Sequence, residues 1–169
     1  MPDRTLVKRS DKVAFFGNMG TGTETFNRMR GFTTLSGSKN PSEYSRQYVD
    51  EEFETTDVTG YSPSYDFGFD QFKGDLVHDE MVEILDGEKT GTEARRNIVI
   101  VDFSQPVTGQ DGVYKAVKRE WAIIGDSEGD SMDAYTYSGT LRATGKRITG
   151  TATLNSDSSV ATFTADTSL

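Results

Sequence analysis

The chain has 169 residues, a length that favours a single domain with one main hydrophobic core. Its 27 acidic and 18 basic side chains give a formal net charge of −9, which argues against tight nucleic-acid binding because such binding relies on phosphate neutralisation by Lys and Arg. The absence of cysteine excludes disulfides, thiolate metal sites and cysteine nucleophiles, and fits folding in a reducing cytosol.

The N-terminal residues 1–25 show neither the strand nor the helix period. They mix charged residues with a glycine-rich stretch, GNMGTGTET, that lacks the Lys-Ser/Thr ending of a phosphate-binding loop. Their apolar run, residues 13–16, is too short for the core of a signal peptide. We therefore predict that residues 1–25 form an arm rather than a part of the core.

From residue 29 onwards, segments rich in Tyr, Phe, Thr and Val alternate with turn residues, which indicates β-strands. In SYDFGFDQF, residues 64–72, aromatic side chains alternate with Asp or Gly, so one face of this strand should be buried and the other solvated. The preceding stretch, residues 45–61, also has strand composition but is strongly acidic. Its carboxylates are Asp50, Glu51, Glu52, Glu54 and Asp57.

Between residues 74 and 91 the apolar period becomes helical. Starting from Val77, apolar side chains recur at i, i+4, i+7 and i+8, which places them on one side of a helix. Asp75 is a suitable N-cap because its carboxylate can accept hydrogen bonds from the first free N–H groups. The pattern predicts a helix over about residues 75–89, the only convincing helix in the sequence.

The C-terminal half returns to strand signals. Residues 98–101 are apolar at successive positions, which predicts a strand covered on both faces. After the turn at residues 105–112, four further segments of strand composition follow, and their spacing predicts an antiparallel meander. The fold class is thus α+β and mostly β, with about eight strands and one helix.

The sequence offers little chemistry for catalysis. His78 is the only histidine and falls on the first turn of the predicted helix, where a surface position is the preferred interpretation. No G-x-S-x-G motif is present, and the acidic segment DSEGDSMD, residues 126–133, lacks the ligand order of an EF-hand. We predict no catalytic, cofactor or metal site.

The order of these segments resembles the major tail tube protein of long, flexible-tailed bacteriophages. The resemblance covers nearly the whole chain, from MRGFTTLSGSKNPSEYSRQYVDEEFETTDVTGYSPSYDFGFDQF through DLVHDEMVEILDG to YKAVKREWAIIGDSEGD and DAYTYSGTLRATGKRITGTATL. It implies an antiparallel β-sandwich or barrel-like domain with one flanking helix, six copies per ring, and rings stacked into a hollow tube. It also implies no enzymatic activity and no cofactor.

The family also provides expectations about contacts. An N-terminal arm (residues 1–25) and a long β-hairpin loop (about residues 40–60) would contact neighbouring rings, and no C-terminal immunoglobulin-like domain is expected. The expected partners are further copies of the chain, a tape measure protein, a tail terminator and distal tail or baseplate proteins. DNA would pass without specific binding, no membrane would be involved, and the protein would reside in the virion tail after assembly in the host cytoplasm.

The resemblance implies a role for the acidic residues, because a negative channel wall would repel phosphates. A monomeric acidic β-domain that binds a small ligand or a cation remains an alternative. The acids expected at the lumen or between rings are Glu52, Glu54, Asp57, Asp66 and Asp70. The expected partners for salt bridges between subunits are Arg46, Lys73 and Arg119.

Overall fold

The computed structural model describes residues 2–17 and 25–166, which fold into eleven β-strands, one α-helix and two short 3-10 turns. The strands are β1 (Lys12–Gly17), β2 (Phe26–Arg28), β3 (Phe32–Ser38), β4 (Pro41–Arg46), β5 (Thr55–Tyr61), β6 (Ser64–Asp70), β7 (Arg95–Pro106), β8 (Val113–Glu128), β9 (Thr136–Ala143), β10 (Ile148–Leu154) and β11 (Val160–Ala165). The helix is α1 (Leu76–Asp86), and the 3-10 turns are Arg9–Asp11 and Gly91–Ala94.

Nine strands form one antiparallel sheet in the order β10-β11-β2-β1-β7-β8-β9-β6-β3. Because β10 also pairs with β8, the six strands β8, β10, β11, β2, β1 and β7 close into a barrel. The long strand β8 belongs to two sheets: residues 113–118 pair with β10, and residues 121–128 pair with β9. The second half of β8 continues, with β9, β6 and β3, into a four-stranded sheet that we call the extension sheet.

Two hydrophobic cores lie on opposite sides of the shared strands. The barrel interior contains Phe15, Phe26, Val99 and Val101, together with small alanine side chains. The second core lies between the extension sheet and α1. Its buried members include Phe16, Phe67, Phe69, Met81, Ile98, Trp121 and Leu141. The predicted double coverage of residues 98–101 is therefore confirmed, since successive side chains enter different cores.

The predicted helix is confirmed and ends three residues earlier than expected. The Asp75 carboxylate accepts hydrogen bonds from the backbone N–H groups of Val77 (2.9 Å) and His78 (3.2 Å), so it caps the helix as predicted. The helix stops at Gly87, whose N–H bonds to the carbonyl of Glu83. In the described ranges, no helix has the length and apolar character needed to span a membrane.

The predicted arm is wrong for residues 12–17. These residues form β1, which pairs with both β2 and β7, and Phe15 and Phe16 are fully buried in different cores. A strand covered on both faces has no alternating pattern, so its short apolar run does not stand out as a strand. Residues 2–10 are exposed as expected of an arm, whereas residues 18–24 lie outside the described residues.

The predicted meander is only partly correct. Strands β7, β8 and β9 are paired in sequence order, but β10 pairs with β8 and β11 instead of β9. The reason is the length of β8, whose first half extends beyond β9 and offers an edge that β10 occupies. The fold class, a mostly β antiparallel barrel-like domain with one flanking helix, is confirmed.

Candidate functional site

One face of the extension sheet packs against α1, and the opposite face, which we call the open face, is polar. The strand register aligns its side chains in rows, such as Ser36, Asp66 and Thr140, and the Thr140 hydroxyl donates a hydrogen bond to Asp66 at 3.3 Å. A shallow hollow of about 470 Å³ lies over these rows. The polar residues that β3, β6 and β9 contribute to this face are Thr34, Ser36, Ser38, Ser64, Asp66, Asp70, Thr136, Ser138, Thr140 and Arg142.

Both margins of the extension sheet have a free edge in the described part of the chain. At one margin, β3 pairs with β6 alone. At the other, β7 begins with Arg95 opposite Ala122, so residues 123–128 of β8 pair only with β9. A groove of about 590 Å³ follows this second edge and is bounded by the C-terminal end of α1. Apart from the Leu35 carbonyl in β3, which accepts a hydrogen bond from Arg9, the backbone groups on the unpaired side of each margin can serve as a template for another strand.

Strands β4 and β5 form a separate two-stranded hairpin (residues 41–61) that contributes nothing to either core. Every residue of β4 is exposed, as are residues 47–54 at its tip. Val49 is fully exposed and Phe53 is 78% exposed. An isolated hairpin with exposed apolar side chains gains little stability from its own packing.

A second groove, which we call the basic groove, has a volume of about 590 Å³ and lies beside the N-terminal segment. Lys8, Arg9 and Lys12 line one wall, and the apolar floor is formed by Leu35, Tyr65 and Ile100 with Ala14. The Arg9 guanidinium donates hydrogen bonds to the carbonyls of Lys12 (2.7 Å) and Leu35 (3.0 Å), which joins the wall to β3. Burial raises the pKa of the Tyr65 hydroxyl, and the charge of Arg9 opposes this rise.

His78 does not lie on the surface, so the sequence interpretation is wrong. Its ring is fully buried, Nδ1 accepts a hydrogen bond from the backbone N–H of Phe72 (3.0 Å), and Nε2 donates one to the carbonyl of Arg30 (2.6 Å). Because both ring nitrogens have backbone partners, this histidine holds the start of α1 against the turn before β3. The ring also packs against Phe69, with centroids 4.7 Å apart.

A buried tyrosine also contributes to the packing of α1. Tyr137 donates hydrogen bonds to the Asp86 carboxylate (3.2 and 3.3 Å) and thereby fastens the end of α1 to β9. Burial, followed by the charge of Asp86, raises the pKa of Tyr137 to about 12. Within residues 2–17 and 25–166, no three His, Asp or Glu side chains are grouped closely enough to hold a metal ion.

No protein-family model and no curated protein sequence matches the chain. Among solved structures, the chain is similar to one in the tail of an empty GTA particle computed with helical refinement and C6 symmetry. The TM-score is 0.58 at 13% sequence identity, over 83% of this chain and 96% of the other. The chain has the tail tube fold. A cryo-EM structure of the anti-feeding prophage (AFP) baseplate, sixfold symmetrised, also contains a similar chain, with 14% identity over 88% of this chain and 97% of that one and a TM-score of 0.46.

The tail tube fold separates the five predicted acids into two groups. Asp66 and Asp70 lie on β6 and belong to the open face of the extension sheet. Glu52, Glu54 and Asp57 lie in the hairpin, where all three are exposed. One group is therefore placed on a polar sheet face and the other on an exposed hairpin. Their positions relative to a lumen or a neighbouring ring stay predictions.

The three predicted cations differ in the contacts that their side chains make within the subunit. Arg46 stacks on Tyr44 and Tyr48, with its guanidinium carbon 5.0 and 4.9 Å from the ring centroids. Arg119 donates a hydrogen bond to the carbonyl of Gly145 at 2.8 Å. Lys73 is exposed in the turn before α1. Salt bridges from these residues to other subunits stay predictions.

Sequence reasoning missed the basic groove. Its cations come from KRSDK, residues 8–12, which was assigned to the arm without a role. The local charge was visible in the sequence, but the floor comes from β3, β6 and β7, which only the fold brings to the same place.

Proposed function

We propose that this protein is a structural subunit without enzymatic activity that assembles into hexameric rings stacked as a phage tail tube. The observation that carries the proposal is the four-stranded extension sheet with a free edge at each margin. The edges differ, because one is β3 and the other is residues 123–128 of β8. Pairing β3 of one copy with β8 of the next is a head-to-tail contact, which generates a closed ring when the rotation closes.

The size of such a ring suits a conduit. Six copies of four strands give 24 strands, and at a spacing of about 4.8 Å and a tilt near 40° the barrel diameter is about 48 Å. Inward side chains reduce this to about 38 Å, which leaves room for duplex DNA. In this arrangement the open face lines the channel and α1 lies outside, because the two occupy opposite faces of the extension sheet.

The negative charge of the proposed ring favours passage of DNA without binding to the wall. Six chains of net charge −9 bring −54 (6 × −9) to each ring, and the open face contributes Asp66 and Asp70. The remaining side chains of this face are mainly Ser and Thr hydroxyls, which remain solvated and provide few cations for phosphate. Such a wall repels DNA, so a genome slides through it.

Negative-stain electron microscopy of the purified protein over a range of concentrations tests the proposal. Sixfold rings or tubes are expected, and a reconstruction should show β3 of one copy beside residues 123–128 of the next. A protein that stays monomeric at every protein and salt concentration, and with tail proteins added, would contradict ring assembly and favour the monomeric ligand-binding alternative.

A further inference from the structure

We propose that two exposed side chains at the start of α1, Phe72 and Leu76, insert into the groove at the end of α1 of the adjacent copy in the ring. This inference rests on the proposed function and adds a side-chain contact to the pairing of β3 with β8. We call Phe72 and Leu76 the apolar pair. The lining of the second surface, which we call the helix-end groove, includes Leu85, Lys89, Thr90, Ala94, Arg95, Ile123 and Gly125.

The apolar pair lies beside the free edge of β3. Phe72 is 58% exposed and Leu76 is 60% exposed. A Cβ at Gly31, the residue immediately before Phe32 in β3, would lie 3.1 Å from Cε2 of Phe72, so this ring stands next to the start of the strand. Two large apolar side chains in water beside an unpaired strand favour a contact with another chain at this margin.

The helix-end groove lies beside the other free edge, residues 123–128 of β8, and has a volume of about 590 Å³. Its apolar lining includes Leu85 from the last turn of α1 and Ile123 from β8. A Cβ at Gly125 would lie 2.9 Å from Cδ2 of Leu85, so glycine at this position lets Leu85 lie against the strand. An apolar side chain that enters the groove would be removed from water together with this lining.

The direction of α1 places the two surfaces at opposite margins of the extension sheet. At the start of α1, His78 packs against Phe32 of β3, with centroids 5.7 Å apart, and near its end Leu85 lies against Gly125 of β8. Because the four strands alternate in direction, β3 of one copy and β8 of the next are also antiparallel when the ring closes. Pairing of these edges therefore brings the start of one helix towards the end of the next, on the same face of the joined sheet.

The strand register places both surfaces at the same end of the extension sheet. Phe32 is opposite Phe69, Phe69 is opposite Tyr137, and Glu128 is also opposite Tyr137. The start of β3, which has Phe72 beside it, is thus level with the last residues of β8. A ring in which neighbouring sheets join at this level aligns the apolar pair with the helix-end groove.

The apolar pair cannot occupy the groove of its own subunit. The 11 residues of α1 separate Leu76 from the groove by about 16 Å, at about 1.5 Å per residue. Strands β6 and β9 also lie between β3 and β8, which separates the two margins by about 14 Å at about 4.8 Å per strand. A second copy of the chain, joined at the sheet margin, is the occupant that removes this separation.

Charges beside the two surfaces are of opposite sign. Asp75 caps α1 next to the apolar pair, and the cations Lys89 and Arg95 line the groove. Lys89 is bonded to Glu83 at 3.1 Å, whereas the Arg95 guanidinium lies 3.9 Å from Glu120, beyond hydrogen-bond distance. Arg95 is therefore the cation that is less engaged within its own subunit. An acid next to an inserted apolar side chain complements a groove with such a cation on its wall.

Truncation of the apolar pair tests its part in assembly. The test variant carries Phe72→Ala and Leu76→Ala, and the control carries Met132→Ala and Ile148→Ala, two exposed apolar residues outside both surfaces. The test variant should raise the protein concentration needed for tubes by at least about tenfold, because burial of one large apolar side chain changes an association constant by at least about this factor. The control should stay within about threefold of the wild type. Circular dichroism melting shows that each variant is folded.

Cross-linking identifies the contact without relying on the truncation. Because the chain has no cysteine, Leu76→Cys with Thr90→Cys introduces one thiol at each surface. A short bis-maleimide reagent added to tubes should join neighbouring copies into a ladder that ends at six copies on a denaturing gel. Leu76→Cys with Asp111→Cys, whose second thiol lies in the turn between β7 and β8, is the matched control and should give no ladder.

The outcomes separate this contact from ring assembly itself. If the wild type forms tubes, the docking of the apolar pair is overturned by a folded truncation variant that assembles at the wild-type concentration. It is also overturned by tubes of the Leu76→Cys and Thr90→Cys protein that give no ladder, or no more of one than the control. A wild type without rings would instead overturn the proposed function.

Discussion

At the scale of single residues, His78 shows how a polar side chain can become part of a core. It is fully buried, and its two ring nitrogens bridge the backbone of Phe72 and that of Arg30, which is 42 positions earlier in the chain (72 − 30). Aromatic neighbours enclose the ring, with Phe69 at 4.7 Å and Phe32 at 5.7 Å between centroids. Burial of this group is tolerable because both nitrogens are satisfied.

Replacement of His78 by Leu should therefore destabilise the protein. The change leaves the N–H of Phe72 and the carbonyl of Arg30 without their side-chain partners, at a cost of about 2–4 kcal/mol in the free energy of unfolding. Urea denaturation measures the loss. Leu76→Ala on the exposed side of the same helix is the matched control and should change the free energy by about 0.5 kcal/mol or less. Equal losses in the two variants would show that the bridge contributes nothing specific.

Gly139 is required by the close packing of β8 and β9. A Cβ at this position would collide with the carbonyl oxygen of Ile124 and lie 2.8 Å from Cζ of Phe67. Gly139→Ala should cost about 1–3 kcal/mol in the free energy of unfolding because the core must shift to admit one methyl group. Gly60→Ala in the hairpin, where a Cβ would meet no atom within 4 Å, should be nearly neutral in the same urea titration. A neutral Gly139→Ala would indicate a looser β8–β9 contact.

The raised pKa of Tyr137 predicts how the stability of the protein changes at alkaline pH. Its pKa is raised to about 12 in the folded protein, mainly by burial and then by Asp86, whereas an unfolded tyrosine has its ordinary value of 10. The folded state thus holds the proton more tightly, so this contribution to stability is complete below pH 10 and is lost as pH rises towards 12. Melting temperatures between pH 9 and 11.5 should fall more steeply for the wild type than for Tyr137→Phe. Equal slopes of melting temperature against pH for the two proteins would contradict this contribution of Tyr137 to stability.

At the scale of elements, β8 determines the architecture. Its 16 residues are long enough to complete the barrel with β10 and then to begin the extension sheet with β9. The irregular register between Gly125 and Ser127 lies beside the free edge of this strand. The strand β8 thus connects the closed barrel with the extension sheet, whose margins remain available for another chain.

The hairpin should be dispensable for folding and necessary for assembly. Replacing residues 47–54 by Asn-Gly, a sequence suited to a tight hairpin turn, removes only exposed side chains. The melting temperature should therefore change by about 2 °C or less. Electron microscopy of the same sample should show a loss of tubes, since the hairpin tip that is expected to contact neighbouring rings is missing. Retained tubes would exclude the tip from assembly, and a large fall in melting temperature would show that the hairpin supports the fold.

At the scale of the whole molecule, charge and shape act together. The chain places a polar face on one side of the extension sheet and a helix on the other, and its net charge of −9 is repeated in every copy. In the proposed ring, these features produce a wide channel whose wall repels phosphates.

Reversal of the open-face acids tests that channel. Tubes of Asp66→Lys with Asp70→Lys should form but should retain short duplex DNA at low salt and release it as salt rises, because each added cation displaces counterions from phosphate. Asp79→Lys with Glu88→Lys, two exposed acids on and just after α1, is the control with the same net charge. Co-sedimentation of DNA with tubes measures the difference. Equal retention by both variants would place the open face elsewhere than at the lumen.

Several features were predictable because they depend on near neighbours in the sequence. Asp75 caps the helix through N–H groups two and three residues away, and the apolar stripe from Val77 matches the buried side of α1. The alternation in β6 likewise reports one packed and one polar face. The open-face acids Asp66 and Asp70 could thus be identified as solvated from the sequence, although their place in a lumen is still a prediction.

Other features were not predictable because they depend on distant partners. Residues 12–17 differ little from an exposed apolar run until β2 and β7 flank them, and His78 is buried by residues on β3, β6 and the turn before α1. The basic groove needs the N-terminal segment, β3, β6 and β7 together. No local sequence pattern indicates that these distant segments lie next to one another in the fold.

The sequence alone determined the helix α1, the strand character of the segments after residue 29, the net negative charge and the two-sided burial of residues 98–101, because strand and helix periods and charge are properties of neighbouring residues. Only the tertiary structure decided that β10 returns to β8 and that the extension sheet keeps two free margins. Periodicity records whether a face is covered but carries no information on which distant strand covers it, and strand pairing depends on the competition among all available edges.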